Sequence, residues 1–548
     1  MTDNAANKVY HDYPPALTPE QEEYLVQTVK NWTVEHGLTV RPSAAIVPEE
    51  TNPKNVLATN APVTLFPSPF PKTCFELAKS IQPVYNELYA SIASDEQWLE
   101  EIMRELIEVD DFLANLWKIH VAVKEEGYVQ DLSLGMFRSD YMVHTTEQGP
   151  PSLKQVEFNT ISSSFGGLAC LVAEMHTHLA TFPSPKHSVA YPVHPLFANS
   201  TGDSSIHTIG HPPPNEAVET LTAGLAAAHV AYGPSRSEPR LPTCVIFLVQ
   251  DNERNVFDQL ALSTHLLKHH HIPSFRLPTS KILAYTSIPS KESNPCRPLI
   301  YTPPSSPSTP FEVTVVYFRA LYAPTEYNTA TSWAARHHLE RSAAVKCPTV
   351  LLHLAGSKKV QQVLTARPPD TDHLKTFLPT QPEVVLQTLR STFAPQYSLS
   401  AGPGSDPTAE PEGVRLALSA ETAANHVLKP QREGGGNNIY RTNIPPFLNS
   451  IPKSQWKQYI LMELIRPPTT ARNTVLRSDG QVLSGNVISE LGIFGTCLWR
   501  NTPGDARPEL LHNTEGGYLL RTKGKDSDEG GVAAGFSSLD SLILYEEY

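Results

Sequence analysis

Short segments that have the pattern of a strand alternate along this chain with segments that have the pattern of a helix. The strand-like segments are residues 154–159, 245–249, 313–318 and 459–464. The helix-like segments are residues 254–269, 339–347 and 356–365. Strands that alternate with helices are typical of an α/β fold, in which helices cover the faces of a sheet. The pattern therefore predicts an α/β fold.

The first part of the chain has helical signals. Thr18 and Gln21 have the spacing of a capping box, and Gly37 is a typical helix stop, so the sequence predicts a helix over residues 18–36. Apolar residues then recur at helical spacing through residues 94–116, which predicts a second helix. We expect the acidic residues between these apolar positions to face water.

The charge balance restricts the partners that this chain can have. Its 548 residues include 43 Lys and Arg against 56 Asp and Glu, which gives a formal net charge of −13. Nucleic acids and anionic membranes attract positive surfaces, so we expect neither as a partner. A chain of this length is enough for about two to four compact units of about 150 residues.

The cysteines and the N-terminal residues favour a cytoplasmic protein. The six cysteines lie far apart and include no Cys-x-x-Cys pair. The first residues lack the charged and then apolar pattern of a secretory signal, and no apolar run reaches the length of about 20 residues that a membrane helix needs. We therefore expect reduced thiols and a cytoplasmic location.

Proline is frequent and unevenly distributed. There are 50 prolines in 548 residues, and many lie in residues 183–215, 287–310 and 394–413 together with Ser and Gly. Segments of this composition bury too little apolar surface to offset the entropy of ordering them. The sequence predicts surface loops in these three places.

A glycine-rich segment indicates a nucleotide site. Residues 429–438 are Lys-Pro-Gln-Arg-Glu-Gly-Gly-Gly-Asn-Asn. Successive glycines let backbone N–H groups approach an anion, Lys429 can pair with phosphate, and Glu433 offers an oxygen ligand of the kind that Mg²⁺ prefers. The segment lacks the pattern of a P-loop. A flexible surface loop is the alternative interpretation.

A second segment combines a strand with a turn that is rich in hydroxyl groups. Strand alternation places Glu157 and Asn159 on one face, where a carboxylate and an amide oxygen can share one metal ion. Ser162 and Ser164 follow at a turn. The alternative is a half-exposed strand whose polar residues face water.

Two cationic segments suggest binding of an anionic substrate. Arg319 ends an apolar strand, and ligands bind at strand ends in α/β sheets. Arg521 and Lys523 precede a second glycine-rich segment at residues 530–535. Taken singly, each could be surface charge beside a turn. The sequence has no motif of a covalent nucleophile, which favours chemistry activated by phosphoryl transfer.

Motifs in the right order resemble those of eukaryotic glutathione synthetase, a ligase of the ATP-grasp class. The resemblance runs from about residue 134 to residue 539. The motifs are Met-Phe-Arg-Ser-Asp-Tyr-Met at 136–142, Val-Glu-Phe-Asn-Thr-Ile-Ser-Ser-Ser-Phe-Gly-Gly-Leu at 156–168, Glu-Arg-Asn-Val-Phe-Asp-Gln at 253–259, Tyr-Phe-Arg at 317–319, Leu-Glu-Arg-Ser at 339–342, Leu-Ala-Gly-Ser-Lys-Lys-Val-Gln-Gln at 354–362, the glycine-rich segment at 428–438, Ile-Leu-Met-Glu at 460–463, Ser-Glu-Leu-Gly-Ile-Phe-Gly at 489–495 and Leu-Arg-Thr-Lys at 520–523.

The resemblance implies a reaction and its ligands. The family joins γ-glutamylcysteine to glycine through an acyl phosphate and splits ATP to ADP and phosphate. It implies Mg²⁺, two ions per subunit, and a homodimer in the cytoplasm. The alternatives are an ATP-grasp ligase with another acceptor, such as β-alanine, and a nucleotide-binding homologue without activity.

The same resemblance implies a role for particular residues. The expected catalytic residues are Arg138, Arg521 and Lys358, and the expected metal ligands are Glu157, Asn159 and Glu433. The expected ATP-binding residues are Glu157, Lys358, Lys429, Gln431, Glu433, Gly434, Gly435, Gly436, Asn437, Asn438, Tyr440, Met462, Glu463, Leu464, Ile465, Glu490, Lys523 and Glu529. The expected substrate-binding residues are Arg138, Ser162, Ser163, Ser164, Glu253, Arg254, Asn255, Gln259, Arg319, Tyr322, Arg521, Val532 and Ala533.

The resemblance also implies an ATP-grasp fold. Its parts are an antiparallel sheet core, a parallel-sheet subdomain that binds substrate and a helical N-terminal region. The implied boundaries are a mainly helical part at 1–130, a metal and substrate region at 131–230, an α/β subdomain at 231–350, and an ATP-grasp region at 351–548 with a glycine-rich lid at 429–440. The chain departs from the family at Glu529, where Asp is usual, and at Ala320 and Leu321, which replace Asp-Gly.

Overall fold

A computed structural model describes most of the chain. The described residues are 13–147, 149–184, 187–188, 190–191, 211–365, 372–400, 410–433, 436–502, 507–525, 527, 532 and 537–546. Much of the predicted loop at 183–215 and part of that at 394–413 lie outside them. So do Gly434, Gly435, Glu529 and Ala533, for which a site role was expected.

Helices make up much of the described chain. They are α1 (Pro19–His36), α2 (Lys72–Ser94), α3 (Glu96–Met103), α4 (Asp111–Glu126), α5 (Gly166–Thr181), α6 (Ala217–Tyr232), α7 (Val256–His270), α8 (Ile282–Tyr285), α9 (Ala330–Glu340), α10 (Val350–Ala355), α11 (Lys358–Leu364), α12 (His373–Phe377), α13 (Glu383–Thr392), α14 (Glu412–Leu418), α15 (Ala420–Ala423) and α16 (Ile444–Ser450).

Strands lie between the helices along most of the chain. They are β1 (Thr39–Val40), β2 (Thr59–Asn60), β3 (Val63–Thr64), β4 (Ser68–Pro71), β5 (Leu132–His144), β6 (Ser152–Asn159), β7 (Pro183–Ser184), β8 (His187–Ser188), β9 (Thr243–Val249), β10 (Ser274–Pro278), β11 (Thr286–Ser287), β12 (Leu299–Tyr301), β13 (Phe311–Phe318), β14 (Val345–Cys347), β15 (Gln396–Ser398), β16 (His426–Pro430), β17 (Ile439–Tyr440), β18 (Tyr459–Glu463), β19 (Arg472–Leu476), β20 (Val482–Arg500), β21 (Glu509–Gly524), β22 (Ser538–Asp540) and β23 (Leu542–Tyr545).

One large mixed sheet runs through the molecule. Strands β10, β9, β13 and β14 are parallel neighbours, and β14 is parallel to β5. Beyond β5 the sheet becomes antiparallel, because β5 pairs with β6 and β20, and β20 pairs with β21. The α/β prediction is confirmed, and β5 joins the parallel part of the sheet to the antiparallel part.

A second, smaller sheet is antiparallel throughout. Its four strands have the order β15, β18, β16, β17. The glycine-rich segment begins in β16 and ends before β17, so it forms the connection between two paired strands of this sheet.

Both faces of the parallel strands are covered. In β9, the side chains of Cys244, Ile246 and Leu248 belong to one hydrophobic core, and those of Val245 and Val249 belong to another. Strand alternation produces this division, and a short apolar run without polar residues suits a strand that is buried on both faces.

The N-terminal helix is confirmed. The Thr18 hydroxyl accepts from the Gln21 N–H at 3.3 Å, and Gln21 Oε1 accepts from the Thr18 N–H at 2.9 Å. Gly37 ends the helix with a φ of +76°, a conformation that glycine adopts without steric cost.

Other local predictions were wrong at their boundaries. The predicted helix over 94–116 is two helices, α3 and α4, because Asp95 and Asp110 each cap a new N-terminus. The preceding long helix α2 was not predicted, since it contains Pro83, which usually interrupts a helix. The predicted helix over 339–347 ends at Glu340, and the rest of that segment turns into strand β14.

The proline-rich predictions need a smaller correction. Residues 287–310 include strand β12, and residues 394–413 include strand β15 and the start of α14. The long β20 and β21 were not predicted beyond their motifs. Among the described residues, no helix combines the length and apolar composition that a membrane crossing requires.

Candidate active site

A cavity of about 880 Å³ receives residues from both sheets. Strands β5, β6, β20 and β21 of the large sheet contribute to it, as do β16, β17 and β18 of the small sheet. The loop that follows β6 and the loop that follows β13 also reach it. Residues that are hundreds of positions apart in sequence therefore face one space.

Two carboxylates meet at a lysine beside this cavity. Glu157 lies two residues before the end of β6, Glu433 follows β16, and both line the cavity. The Nζ atom of Lys358, at the start of α11, lies 3.1 Å from Glu157 Oε2 and 3.6 Å from Glu433 Oε2. Lys358 itself is 3% exposed. The positively charged ammonium group of Lys358 therefore lies between the two carboxylates.

These carboxylates and a nearby amide fit a magnesium ion. Asn159 is on the same face of β6 as Glu157 and also lines the cavity. Glu433 Oε2 is buried and has no hydrogen-bond partner among the described residues. In the described part of the chain, no three His, Cys, Asp or Glu residues form a metal cluster. Mg²⁺ needs no such cluster when phosphate oxygens complete its shell.

Burial and lysine charges set the ionisation of this group. Burial opposes the charge of Glu157, but Lys358 and Lys429 outweigh it and lower the pKa of that carboxyl to about 2. Burial raises the pKa of Glu433 to about 7, although Lys358 opposes the shift. Burial also lowers the pKa of Lys429 to about 8, and its Nζ donates to the Val156 carbonyl at 2.8 Å.

An arginine pair lies on the neighbouring strands. Arg138 of β5 and Arg521 of β21 both donate to the carboxylate of Asp140. Arg521 also pairs with Glu490, which stands opposite it in β20. Burial raises the pKa of the Glu490 carboxyl. Both guanidinium groups line the cavity and can bind a substrate carboxylate or phosphate.

A third arginine faces the cavity from the parallel strands. Arg319 follows β13, and its Nη2 donates to Asp258 Oδ2 at 2.8 Å. Its Nε and Nη1 are buried and have no hydrogen-bond partner among the described residues. A buried guanidinium with two unpaired nitrogens favours an anionic group of a ligand, because unpaired buried donors are costly.

The serine-rich loop after β6 is tied to the same region. Asp258 accepts from the N–H groups of Phe165 and Gly167, at 2.9 and 2.8 Å. Ser162 and Phe165 have positive φ values of 54° and 74°. Strained backbone of this kind persists where the surroundings enforce it, and it is frequent at ligand sites.

The small sheet supplies an apolar part of the cavity. Met462 and Val427 are buried in a small cluster against which Tyr440, Leu464 and Ile465 pack. Glu463 stands at the end of β18, where its Oε1 accepts from the Tyr397 hydroxyl at 2.9 Å. An apolar surface beside a carboxylate suits a flat base with an amino group.

Most expected site residues with a described position line the cavity. They are Arg138, Glu157, Asn159, Ser162, Ser163, Ser164, Glu253, Asn255, Arg319, Tyr322, Lys429, Glu433, Asn437, Asn438, Tyr440, Met462, Glu463, Leu464, Ile465, Glu490, Arg521, Lys523 and Val532.

The other described ones lie beside it. Lys358 reaches the cavity residues through Glu157 and Glu433. Gln431 and Gly436, which belong to the glycine-rich segment, line an adjoining pocket. Arg254 lines a neighbouring cavity. Gln259 donates to Glu253 Oε2 at 2.6 Å, so it acts on the cavity through that carboxylate.

The departure at positions 320 and 321 lies outside the cavity lining. Ala320 and Leu321 are buried, whereas Tyr322 and Ala323 face the cavity. The Glu326 carboxylate accepts from the N–H groups of Leu321, Tyr322 and Ala323, which holds the loop in place.

Sequence reasoning gave no role to Asp140. The residue falls within the motif at 136–142, and its spacing from Arg138 places both on one face of a strand. That alternation was the available signal. The partners on β21 and β6 could not be inferred from it, because they depend on the pairing of distant strands.

Comparisons with known proteins find relatives over most of the chain. A family model described as eukaryotic glutathione synthase, ATP-binding domain, matches residues 19–544. The chain is 36% identical to the glutathione synthetase large chain of Schizosaccharomyces pombe, over 96% of this chain and 99% of that protein. It is 38% identical to glutathione synthetase of Xenopus laevis, over 88% and 90% of the two chains. It is 35% identical to that of Homo sapiens, over 95% and 97%.

A solved structure has a similar fold. The glutathione synthetase-like effector of Globodera pallida, in its apo form, matches with a TM-score of 0.68 over 96% of this chain and 98% of that chain. The two sequences are 19% identical, so this match supports the fold alone.

Proposed function

The chain belongs to the eukaryotic glutathione synthase family, and on that premise we propose how its central cavity performs an ATP-dependent ligation. The substrates are γ-glutamylcysteine, glycine and ATP, and the products are glutathione, ADP and phosphate. One observation carries the proposal: Glu157 and Glu433, from two different sheets, face one cavity and share the ammonium group of Lys358.

A carboxylate needs activation before an amine can attack it, because oxide is a poor leaving group. The terminal carboxylate of γ-glutamylcysteine attacks the γ-phosphorus of ATP, the bond to the bridging oxygen breaks, and ADP leaves. The product is an acyl phosphate. Phosphoryl transfer of this kind requires positioning and charge neutralisation more than a protein nucleophile.

The cavity supplies the neutralising groups. Glu157, Asn159 and Glu433 would hold Mg²⁺, two ions per subunit in the family, and the metal would neutralise charge on the phosphates. Lys429 can donate to phosphate, and Lys358 can exchange its carboxylate partners for phosphate oxygens. The adenine would lie against Met462 and the apolar residues around it, with Glu463 beside its amino group.

Arg138 and Arg521 stabilise charge at the reacting carboxylate, and Arg319 binds another carboxylate of the peptide substrate. Glycine's amine then attacks the acyl carbon. The amine loses a proton, and phosphate leaves with one oxygen that came from the dipeptide. The glycine-rich segment between β16 and β17 acts as a lid and excludes water, which would hydrolyse the acyl phosphate.

The test measures phosphate release from ATP. The parent protein should release phosphate with γ-glutamylcysteine and glycine together, in the presence of Mg²⁺. Replacing Glu433 with Gln should lower turnover by about 10²–10³-fold, the loss that follows removal of one transition-state stabiliser. Thermal unfolding of the variant should stay near that of the parent. Unchanged turnover in Glu433→Gln would remove the metal assignment.

We propose in addition a homodimer in the cytoplasm. A reducing compartment suits the six cysteines, which all lie in the described part of the chain and are joined by no disulfide there. Sedimentation equilibrium of the purified protein tests the assembly: a single species with twice the chain mass supports it, and a monomer at micromolar concentration contradicts it.

A further inference from the structure

Asp140 is a buried carboxylate at the centre of the arginine pair. It lies on β5, two residues after Arg138, and it is 0% exposed. Arg138 donates to both of its oxygens, from Nε at 2.6 Å and from Nη2 at 2.8 Å. This is a two-point contact between a planar guanidinium and a carboxylate, which fixes orientation as well as distance.

The same carboxylate reaches across a strand to the second arginine. Arg521 is on β21, and β20 lies between β21 and β5. Its Nη2 donates to Asp140 Oδ2 at 2.8 Å. One carboxylate therefore binds two guanidinium groups that would otherwise repel each other, and it sets their separation.

A glycine on the intervening strand makes this contact possible. Gly492 of β20 stands opposite Asp140. A Cβ atom at Gly492 would lie 2.7 Å from Arg138 Cδ and 2.8 Å from Asp140 Oδ1. Its φ value does not require glycine. Glycine is needed at this position because the Arg138 and Asp140 side chains occupy the space that a Cβ atom would fill.

Asp140 also orients the amide of Asn159. The Asn159 Nδ2 group donates to Asp140 Oδ2 at 2.9 Å and to the Arg138 carbonyl at 3.1 Å. Both amide hydrogens are then used. The Asp140 carboxylate can only accept hydrogen bonds, so the group of Asn159 that faces it must be the NH₂ group. The amide must therefore present its Oδ1 as the free atom, which is the atom that a metal ion binds.

We propose that Asp140 is the positioning residue of this active site. It holds Arg138 and Arg521 at a fixed separation for the reacting carboxylate, and it turns the Asn159 oxygen toward the metal position. The inference rests on the proposed function, because the roles of its three partners do. Asp140 itself touches no substrate in this account.

The first variant is Asp140→Asn, which keeps the side-chain volume and removes the charge. The amide keeps one accepting oxygen and turns an NH₂ group toward an arginine donor, so the two-point contact with Arg138 is lost and the two guanidinium groups no longer share a negative charge. We expect kcat/KM for γ-glutamylcysteine to fall by about 10²-fold, which is the scale of losing one oriented stabilising group. The Mg²⁺ concentration for half-maximal turnover should rise. The Kd of ATP with Mg²⁺, measured by calorimetry without dipeptide, should change less than about threefold, because the adenine surface and Lys429 are intact.

The second variant is Gly492→Ala, which leaves every charged group in place. Its methyl group should displace the Arg138 and Asp140 side chains, so kcat/KM for γ-glutamylcysteine should fall by about tenfold with little change in nucleotide Kd. Glu312→Gln is the matched control, because Glu312 is also a buried carboxylate but lies outside the cavity lining. It should leave kcat/KM unchanged.

The outcomes separate the proposals. An inactive parent protein would contradict the proposed function itself. With an active parent, Asp140→Asn within about threefold of parent kcat/KM would overturn the positioning role. If Asp140→Asn does not fold, Gly492→Ala decides: a selective loss on the dipeptide side supports the role, and unchanged kinetics overturn it. Equal loss of nucleotide and dipeptide binding in Gly492→Ala would also overturn the positioning role, since Gly492 would then matter only for packing.

Discussion

Two buried carboxylates, Asp140 and Glu312, lie on different strands of the large sheet, β5 and β13, and each accepts at least four hydrogen bonds. Their donors differ. Asp140 is held by guanidinium and amide groups at the cavity. Glu312 is the second residue of strand β13 and is not part of the cavity lining. Its donors are the hydroxyls of Tyr232, Ser235 and Ser237 together with two backbone N–H groups.

The difference in donors indicates the role of each carboxylate. Neutral donors from one loop fix the path of that loop, and their hydrogen bonds outweigh burial and lower the pKa of Glu312. Cationic donors from separate strands are themselves groups that can bind a ligand. A buried charge surrounded by charged partners is therefore a sign of function in this fold, whereas a buried charge surrounded by neutral donors is a sign of structure.

The largest expected effect is at the cavity. Glu157→Gln removes a proposed metal ligand and leaves Lys358 with only one carboxylate partner. Turnover should fall by about 10²–10³-fold. The thermal midpoint should also fall, because the neighbouring lysines favour ionised Glu157 in the folded protein and lose that partner in the variant, so turnover is compared per folded molecule. Calorimetry and phosphate release check both. A variant with parent turnover, or one that loses activity only because it unfolds, would contradict the functional role given to Glu157.

A smaller effect is expected on substrate affinity. Arg319→Lys keeps one positive charge but cannot donate in two directions, to Asp258 and to a ligand, from one planar group. KM for γ-glutamylcysteine should rise by about tenfold or more, which corresponds to about 1.4 kcal/mol. KM for ATP should remain within about twofold of the parent value. An equal rise in both constants would mean that Arg319 only supports the fold.

Glu312→Gln should lower stability without the loss of turnover expected of the cavity variants. One carboxylate oxygen becomes an NH₂ group that faces the N–H group of either Arg236 or Ser237, which donate to different oxygens, so a buried donor loses its partner. The expected cost is about 1–3 kcal/mol of stability, seen as a decrease of a few degrees in the thermal midpoint. Turnover per folded molecule should not change. Lower turnover without lower stability would contradict the structural role.

Asp540 is a third buried carboxylate, and its role can be tested by the pH dependence of stability. It is 0% exposed, and three hydroxyls and one backbone N–H donate to it. Burial outweighs these bonds and raises the pKa of Asp540 to about 6. The folded state then binds the proton more tightly than the unfolded state, whose carboxyl titrates near 3.8. The stability that this proton contributes is complete below that value and is lost as pH rises through about 6.

The variant Asp540→Asn has no such proton to lose. Its stability relative to the parent should rise by about 1.4 kcal/mol per pH unit between about pH 4 and pH 6, and the difference should level off above that range. Thermal midpoints of both proteins across this range measure it. A difference that does not depend on pH would show that Asp540 titrates as in the unfolded chain.

The sequence predicted those features that depend on local pattern. The capping box at Thr18 and Gln21 marked a real helix start, and alternation placed Glu157 and Asn159 on one strand face. Helix α2 was not predicted, and it contains Pro83, a residue that usually interrupts a helix. The break at Asp110 was missed because helical spacing continues across it. Local pattern also could not show that Gly492 leaves room for Asp140, since that contact depends on strands hundreds of residues apart.

The transfer of oxygen from the dipeptide to phosphate tests the central claim most directly. The experiment uses γ-glutamylcysteine with ¹⁸O in the cysteinyl carboxylate, together with ATP, glycine and the parent protein, and mass spectrometry of the released phosphate. If the cavity activates the carboxylate by phosphorylation, each phosphate released in ligation carries one ¹⁸O atom. Unlabelled phosphate formed together with glutathione would contradict the account.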